Sequence, residues 1–205
     1  MDSIIFDVDG TLWDCTGILA DAWTRYLKEK EHIDLVITQD RLQSLFGQLL
    51  PEIARQLFPA LPPQEQQTLI DRLCQVEEQV LKVTGAPLYG GMEETLRELS
   101  KKVPLFIVSN CQAGYIELFL EKTGLGPLFQ DHLCPGDTGE AKAENIMTIV
   151  KRHHLSAPVY VGDTDGDWNA CQKAGVPFVF ASYGFGQVAE PDHVIDRPAD
   201  ILSLL

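Results

Sequence analysis

Residues 3–8 (SIIFDV) are apolar apart from the opening Ser3 and Asp7 and rich in β-branched side chains, the pattern of a strand covered on both faces. Comparable runs recur at 103–109 (VPLFIVS), 158–162 (PVYVG) and 177–181 (PFVFA). Between them the apolar positions switch to helical spacing. Met92, Leu96 and Leu99 share a face in a segment ending at Lys101; Ile116, Phe119 and Leu120 do so in 112–122, and Ile146, Ile149 and Val150 in 140–154. Strands alternating with helices predict an α/β fold, a parallel sheet with right-handed crossovers sandwiched by helices. Ligands of such sheets lie beyond the carboxyl ends of the strands, near the point where the strand order reverses.

Residues 16 to about 84 break this alternation. Helical patterns occupy 17–30, 39–46, 51–58 and 64–84, divided by Gly47, Pro51, Pro59 and Pro62-Pro63, with no strand-like run among them. The Gly- and Pro-rich GAPLYGG, residues 85–91, reads as the return to the sheet. The expected organisation is an α/β core of residues 1–15 and 88–205 with an all-helical domain, 16–87, inserted after the first strand.

Polar residues gather where the predicted strands end. The first is followed by Asp7-x-Asp9-Gly10-Thr11 and the second by Ser109-Asn110; Lys142 opens a helix after Gly136 and Gly139, and a later strand runs into GDTDGDWNA with Asp163, Asp165 and Asp167. Strand ends converge on one crevice, so these groups are expected to meet there. Crowded carboxylates repel one another unless a cation joins them, and hard oxygen ligands with access to water suit Mg²⁺. A carboxylate can attack phosphorus to form an aspartyl phosphate, and a second one two residues on can protonate the leaving oxygen and later take a proton from water. A lysine, a serine hydroxyl and backbone N–H groups at helix starts can hold phosphoryl oxygens, and Gly10 lets the backbone approach them.

Charge narrows the range of partners. A formal net charge of -14 argues against nucleic acid and anionic membranes. It does not oppose a small phosphorylated metabolite, because one metal ion and one lysine reverse the field locally. The five cysteines are scattered, as reduced thiols are, rather than spaced as a disulfide framework or a zinc site. No apolar run approaches the roughly 20 residues of a membrane span, and the chain opens on a strand rather than a signal peptide. The expectation is a cytoplasmic monomer or homodimer.

In order and spacing, DVDGTLWD, IVSN, Lys142 and VGDTDGDWNACQKAG resemble the four motifs of the haloacid dehalogenase superfamily, a likeness that covers essentially the whole chain. It implies a Rossmann-like core with the helical insert as a small cap. The tail ASYGFGQVAEPDHVIDRPADIL is similar to the closing segment of phosphoglycolate-phosphatase-like members. By this resemblance Asp7 is the nucleophile, Asp9 the general acid and base, and Lys142 the group that neutralises charge on Asp7 and the phosphate. Gly10, Thr11, Ser109 and Asn110 then form the phosphate pocket. Mg²⁺ sits on Asp7, Asp163 and the main-chain carbonyl of Asp9, and Asp167 supports the lysine or a metal-bound water. Dehalogenases and phosphonatases of the superfamily lack the second aspartate, so Asp9 implies phosphoryl chemistry, with hydrolysis of a small phosphomonoester as the expected reaction. An inorganic pyrophosphatase, a β-phosphoglucomutase-like mutase and a phosphate-binding regulator on the same fold stay as alternatives. Gly47 and Gln48, in LFGQLLPEI, resemble a specificity loop of similar capped phosphatases.

Plainer readings stand beside these. Asp-Gly is a common turn dipeptide. Lys151 rivals Lys142 as the site lysine, and Gly47-Gln48 also reads as an ordinary turn between helices. Asp165 either supports the site or only caps a helix. His153-His154 suits a helix end. Trp13, Trp23 and Trp168 read as core or wall, helix 64–84 as a solvated cap helix, and Cys15 is given no role.

Overall fold

A computed structural model describes all 205 residues. Its centre is a six-stranded sheet built from β1 (Ser3–Phe6), β2 (Leu105–Val108), β3 (Phe129–Leu133), β4 (Pro158–Gly162), β5 (Phe178–Ala181) and β6 (His193–Ile195). The strands lie in the order β3-β2-β1-β4-β5-β6, and every neighbouring pair is parallel. The chain builds outward from β1 in one direction and then returns to its other side, so the order reverses between β1 and β4. Polar groups just after these two strands therefore share one crevice.

Side-chain alternation along β1 divides the core. Ile4 and Phe6 join the apolar cluster on one face, with α5 (Met92–Leu99) and α6 (Tyr115–Thr123). Ile5 joins the cluster on the other face, with α8 (Lys142–Arg152) and α9 (Asp165–Ala174); the single turn α7 (Pro135–Thr138) precedes α8. Both faces are thus apolar, which is why the central strands read as continuous hydrophobic runs.

Between β1 and α5 lie only helices: α1 (Thr16–Lys30), α2 (Gln39–Gln43), α3 (Leu50–Leu57) and α4 (Pro63–Thr84). Proline in the first turns of α3 and α4 has no missing bond to regret, since those N–H groups lack an intrahelical partner. The buried side of the insert, including Leu19, Trp23, Leu42, Leu73 and Leu81, belongs to the same apolar cluster as α5 and α6. No helix is long and apolar enough to cross a membrane.

The expected central strands and all the expected helices form, with ends shifted by a few residues. Two strands escaped the sequence. β3 (FQDHL) and β6 (HVI) are the sheet edges, half open to solvent, and so lack the apolar continuity of strands covered on both faces.

Candidate active site

The turn after β1 is tight. Thr11, Leu12 and Trp13 all donate to the carbonyl of Val8, and Gly10 N donates to Trp13 O at 3.0 Å. Gly10 has φ +78, and a Cβ there would stand 2.1 Å from Asp163 Oδ2, so only glycine lets this turn lie against the loop after β4. The result holds Asp7 and Asp9, both buried, at the switch point of the sheet.

Asp7 is the least satisfied group in the crevice. Both carboxylate oxygens are buried without a hydrogen bond, while Lys142 Nζ lies 3.2 Å from Oδ1. Burial raises the pKa of Asp7; Lys142 opposes that rise and the nearby Asp167 adds to it. Lys142 enters from the first turn of α8 and is buried. Burial alone would lower its pKa, but Asp167 and Asp7 together raise it, so it stays an ammonium. Lys151, its rival in the sequence, is exposed on the same helix, and it is Lys142 that the structure brings to Asp7 and Asp167.

Asp167 is saturated. Its Oδ1 holds Lys142, and its Oδ2 accepts from the backbone N–H groups of Asp163 and Thr164 and from the Thr164 hydroxyl. Thr164 in turn accepts from Asp167 N, completing a capping box at the start of α9. Asp165, weighed in sequence as a support or a cap, is not the cap: Thr164 is, and Asp165 is exposed in the first turn, beside the cleft lined by Gly47 and Gln48.

Asp163 is fully buried, with Oδ2 accepting from Phe185 N at 2.7 Å and Oδ1 from Thr11 Oγ1 at 3.3 Å. Burial, then the charges of Asp167 and Asp7, raise its pKa well above the usual carboxylate range. One oxygen from each of Asp7, Asp163 and Asp167 lies within 4.8 Å of the others. Three buried carboxylates against one lysine leave an excess of negative charge, and two orphaned oxygens on Asp7 face it. Hard donors in that state fit a divalent cation.

Asp9 turns away from that cluster. Its Oδ1 accepts from Tyr115 Oη at 2.6 Å, Trp13 Nε1 at 3.0 Å and Cys15 Sγ at 3.3 Å, while Oδ2 makes no hydrogen bond. Burial raises its pKa and these three donors pull it back. The net rise favours a carboxyl that keeps its proton longer than usual, with the unbonded Oδ2 free to present it.

The other residues singled out in sequence divide. Ser109 is buried at the end of β2 and bears on Asp7. Thr11 holds Asp163 rather than an open pocket. Asn110 reaches across to the insert, where Nδ2 donates to Gly47 O at 2.9 Å. Gly47 and Gln48 line a cavity with Asp9, although the Gln48 side chain is also engaged within the insert by Ser44 and Gln56. His153 follows α8 and contacts Asp131 far from this crevice, a structural role.

Sequence reasoning missed five contributors. Trp13 and Tyr115 clamp Asp9. Gly184 and Phe185 close over Asp163, with a Cβ on Gly184 2.4 Å from Gly10 O. Glu77 lies buried against the same cavity as Asp9, although helix 64–84 read as solvated. A signal for it existed: Glu77 continues the stripe of Leu73 and Leu81 at four-residue spacing, where only apolar residues are otherwise found.

A parallel sheet with this strand order, an insert after β1 and carboxylates on both sides of the switch point define a haloacid dehalogenase-like hydrolase. The model of that family matches residues 4–181, and the chain belongs to it. Among curated relatives, the phosphoglycolate phosphatase of Photobacterium profundum is 29% identical over 98% of this chain and 94% of its own. A haloacid dehalogenase-like hydrolase from Streptococcus pneumoniae superposes with a TM-score of 0.82 at 21% identity, covering 100% of this chain and 98% of that one. A 2-haloacid dehalogenase from Pseudomonas syringae does so with a TM-score of 0.68 at 22% identity, over 100% and 97%. The fold therefore carries more than one chemistry, and the choice falls to the site.

Proposed function

We propose that this hydrolase is a Mg²⁺-dependent phosphatase acting on a small phosphomonoester, with residues 1–15 and 88–205 as its catalytic core and 16–87 as a cap. The observation that carries this reading is Asp7: a buried carboxylate with two unbonded oxygens beside a lysine, two residues before a second carboxyl whose Oδ2 is free. A dehalogenase has no use for that second group, since halide leaves without a proton.

Asp7 and Asp163 would hold the metal together with the main-chain carbonyl of Asp9, and Asp167, with its oxygens already committed, would hold Lys142 in place. When bound, Mg²⁺ supplies positive charge to offset the carboxylates and the phosphate. Asp7 attacks phosphorus through a carboxylate oxygen, forming an aspartyl phosphate as the bond to the leaving oxygen breaks. Asp9 gives its proton to that oxygen. Asp9 then takes a proton from water, which attacks the same phosphorus and releases inorganic phosphate from Asp7. Lys142 and Ser109 steady the phosphoryl oxygens, Gly10 lets the backbone come close, and Thr11 and Asn110 hold Asp163 and the cap loop. Gly47 and Gln48 contribute to substrate choice from the cap.

Relatives named phosphoglycolate phosphatase support the phosphomonoester class. The test is release of phosphate, with and without Mg²⁺, from phosphoglycolate, sugar phosphates, pyrophosphate and a chromogenic phosphomonoester. Metal-dependent release from the monoesters supports the reading. Preference for pyrophosphate, interconversion of phosphosugar isomers, or binding without turnover replaces it with a pyrophosphatase, a mutase or a regulator respectively.

A further inference from the structure

Glu77 is the single charged side chain that the helical insert buries, 4% exposed. It lies on α4 and lines the cavity shared with Asp9. Its one hydrogen bond comes from Gln112 Nε2, 2.8 Å from Oε1, in the loop that follows β2. The other oxygen accepts no hydrogen bond from the protein and is not sealed off, which leaves it open to a group entering the cavity.

The surroundings say what can complete it. From the insert the cavity is walled by apolar Phe46, Leu50 and Ile53 and by Trp23, whose indole N–H is buried without a partner, and no lysine, arginine or histidine lines it. None lines the two clefts that open beside it either, one along Leu49–Pro51 and Ala113, the other along Gln43–Gln48 and Thr164–Gly166. Lys142, the one buried cation of the crevice, is already shared by Asp7 and Asp167. A substrate that brought its own carboxylate here would add a further acidic group without a counter-charge.

A hydroxyl meets no such difficulty. It donates to Glu77 when the carboxyl is ionised and accepts from it when the carboxyl is protonated, so it satisfies the free oxygen in either state. A carboxylate can pair with Glu77 only in the protonated state, so the discrimination holds where Glu77 is ionised. Gln112 fixes the side chain, so the preference is built in before substrate arrives. We propose that Glu77 selects the leaving group of the phosphoester, favouring a hydroxyl-bearing alcohol of the polyol class over one that ends in a carboxylate. This rests on the phosphatase reading and narrows its substrate.

The test compares kcat/KM at pH 9, on the alkaline side of Glu77's ionisation, for two small phosphoesters of opposite character, glycerol phosphate and phosphoglycolate, with a chromogenic phosphomonoester as a third substrate for the wild-type protein. Glycerol phosphate is expected to be preferred over phosphoglycolate by at least about tenfold, the scale of one well-placed hydrogen bond. In Glu77→Gln, which removes the negative charge but keeps the shape, the ratio is expected to shift toward phosphoglycolate by a similar factor. Equal or better use of phosphoglycolate by the wild type overturns the proposal without any variant. An unchanged ratio in a folded Glu77→Gln protein, checked by circular dichroism, overturns it as well. If the chromogenic ester and both natural-type esters yield no phosphate, the phosphatase reading itself has failed, which is a different result.

Discussion

The ammonium of Lys142 stands 3.2 Å from Oδ1 of Asp7, with both side chains closed off from solvent. The same nitrogen holds Asp167, so one cation balances two carboxylates while Asp163 adds a third. Removing the cation strands buried negative charge. Lys142→Met is expected to destabilise the fold by about 3–5 kcal/mol, read from urea unfolding. Adding Asp167→Asn to that variant should recover part of the stability without restoring phosphate release. A Lys142→Met protein as stable as the wild type would mean the ion pair contributes nothing.

Asp7→Asn removes one of the competing carboxylates and keeps the shape. Thermal stability should hold or rise, because a buried charge without a hydrogen bond is lost. Phosphate release should fall by at least about three orders of magnitude, as for other lost nucleophiles. Activity within roughly a factor of ten of the wild type would remove Asp7 from that role.

Metal binding has a readout independent of turnover. On the proposed reading, Mg²⁺ at about 100 times its Kd is expected to stabilise the folded chain by about 2.7 kcal/mol, which in a protein of this size would raise Tm by roughly 5–10 °C. Asp163→Asn should abolish that rise, measured by scanning fluorimetry against a chelated control. An equal rise in the variant would exclude Asp163 from the ligand set.

Glu77 makes stability depend on pH. Burial is the main cause that pushes its pKa up to about 8 from a reference value of 4.5, with Gln112 opposing. The folded state therefore binds the proton more tightly than the unfolded chain. The stability this confers is fully present below the unfolded pKa and is lost as pH rises through the folded one. Relative to Glu77→Gln, the wild type should lose stability between pH 5 and pH 9 by an amount on the order of a few kcal/mol. Parallel melting curves for the two proteins across that range would show that Glu77 ionises normally.

Much of this architecture was legible in sequence because the central strands are buried on both faces and each ends in an unusual polar group. Asp7, Asp9, Ser109, Lys142, Asp163 and Asp167 meet because the strand order reverses beside β1, a relation the alternation of strands and helices already contained. The edge strands were hidden by their half-exposed side chains. Trp13 and Tyr115 were hidden for another reason. An aromatic at helical or strand spacing reads as core, and both are core, but each also turns a polar tip onto Asp9. Glu77 was obscured by its neighbours: among the many Glu and Gln residues of α4 its burial shows only when the stripe through Leu73 and Leu81 is followed.

The cavity between the insert and Asp9 measures about 20 Å³, room for one water and no more. The Asn110 bond to Gly47 holds its mouth in this arrangement. A phosphoester whose alcohol lodges in this cavity would displace the insert on entering, and the alcohol would displace it again on leaving. On the phosphatase reading, turnover would then have a ceiling set by the frequency of that swing, and a viscous solvent is expected to slow kcat even where the chemistry is untouched.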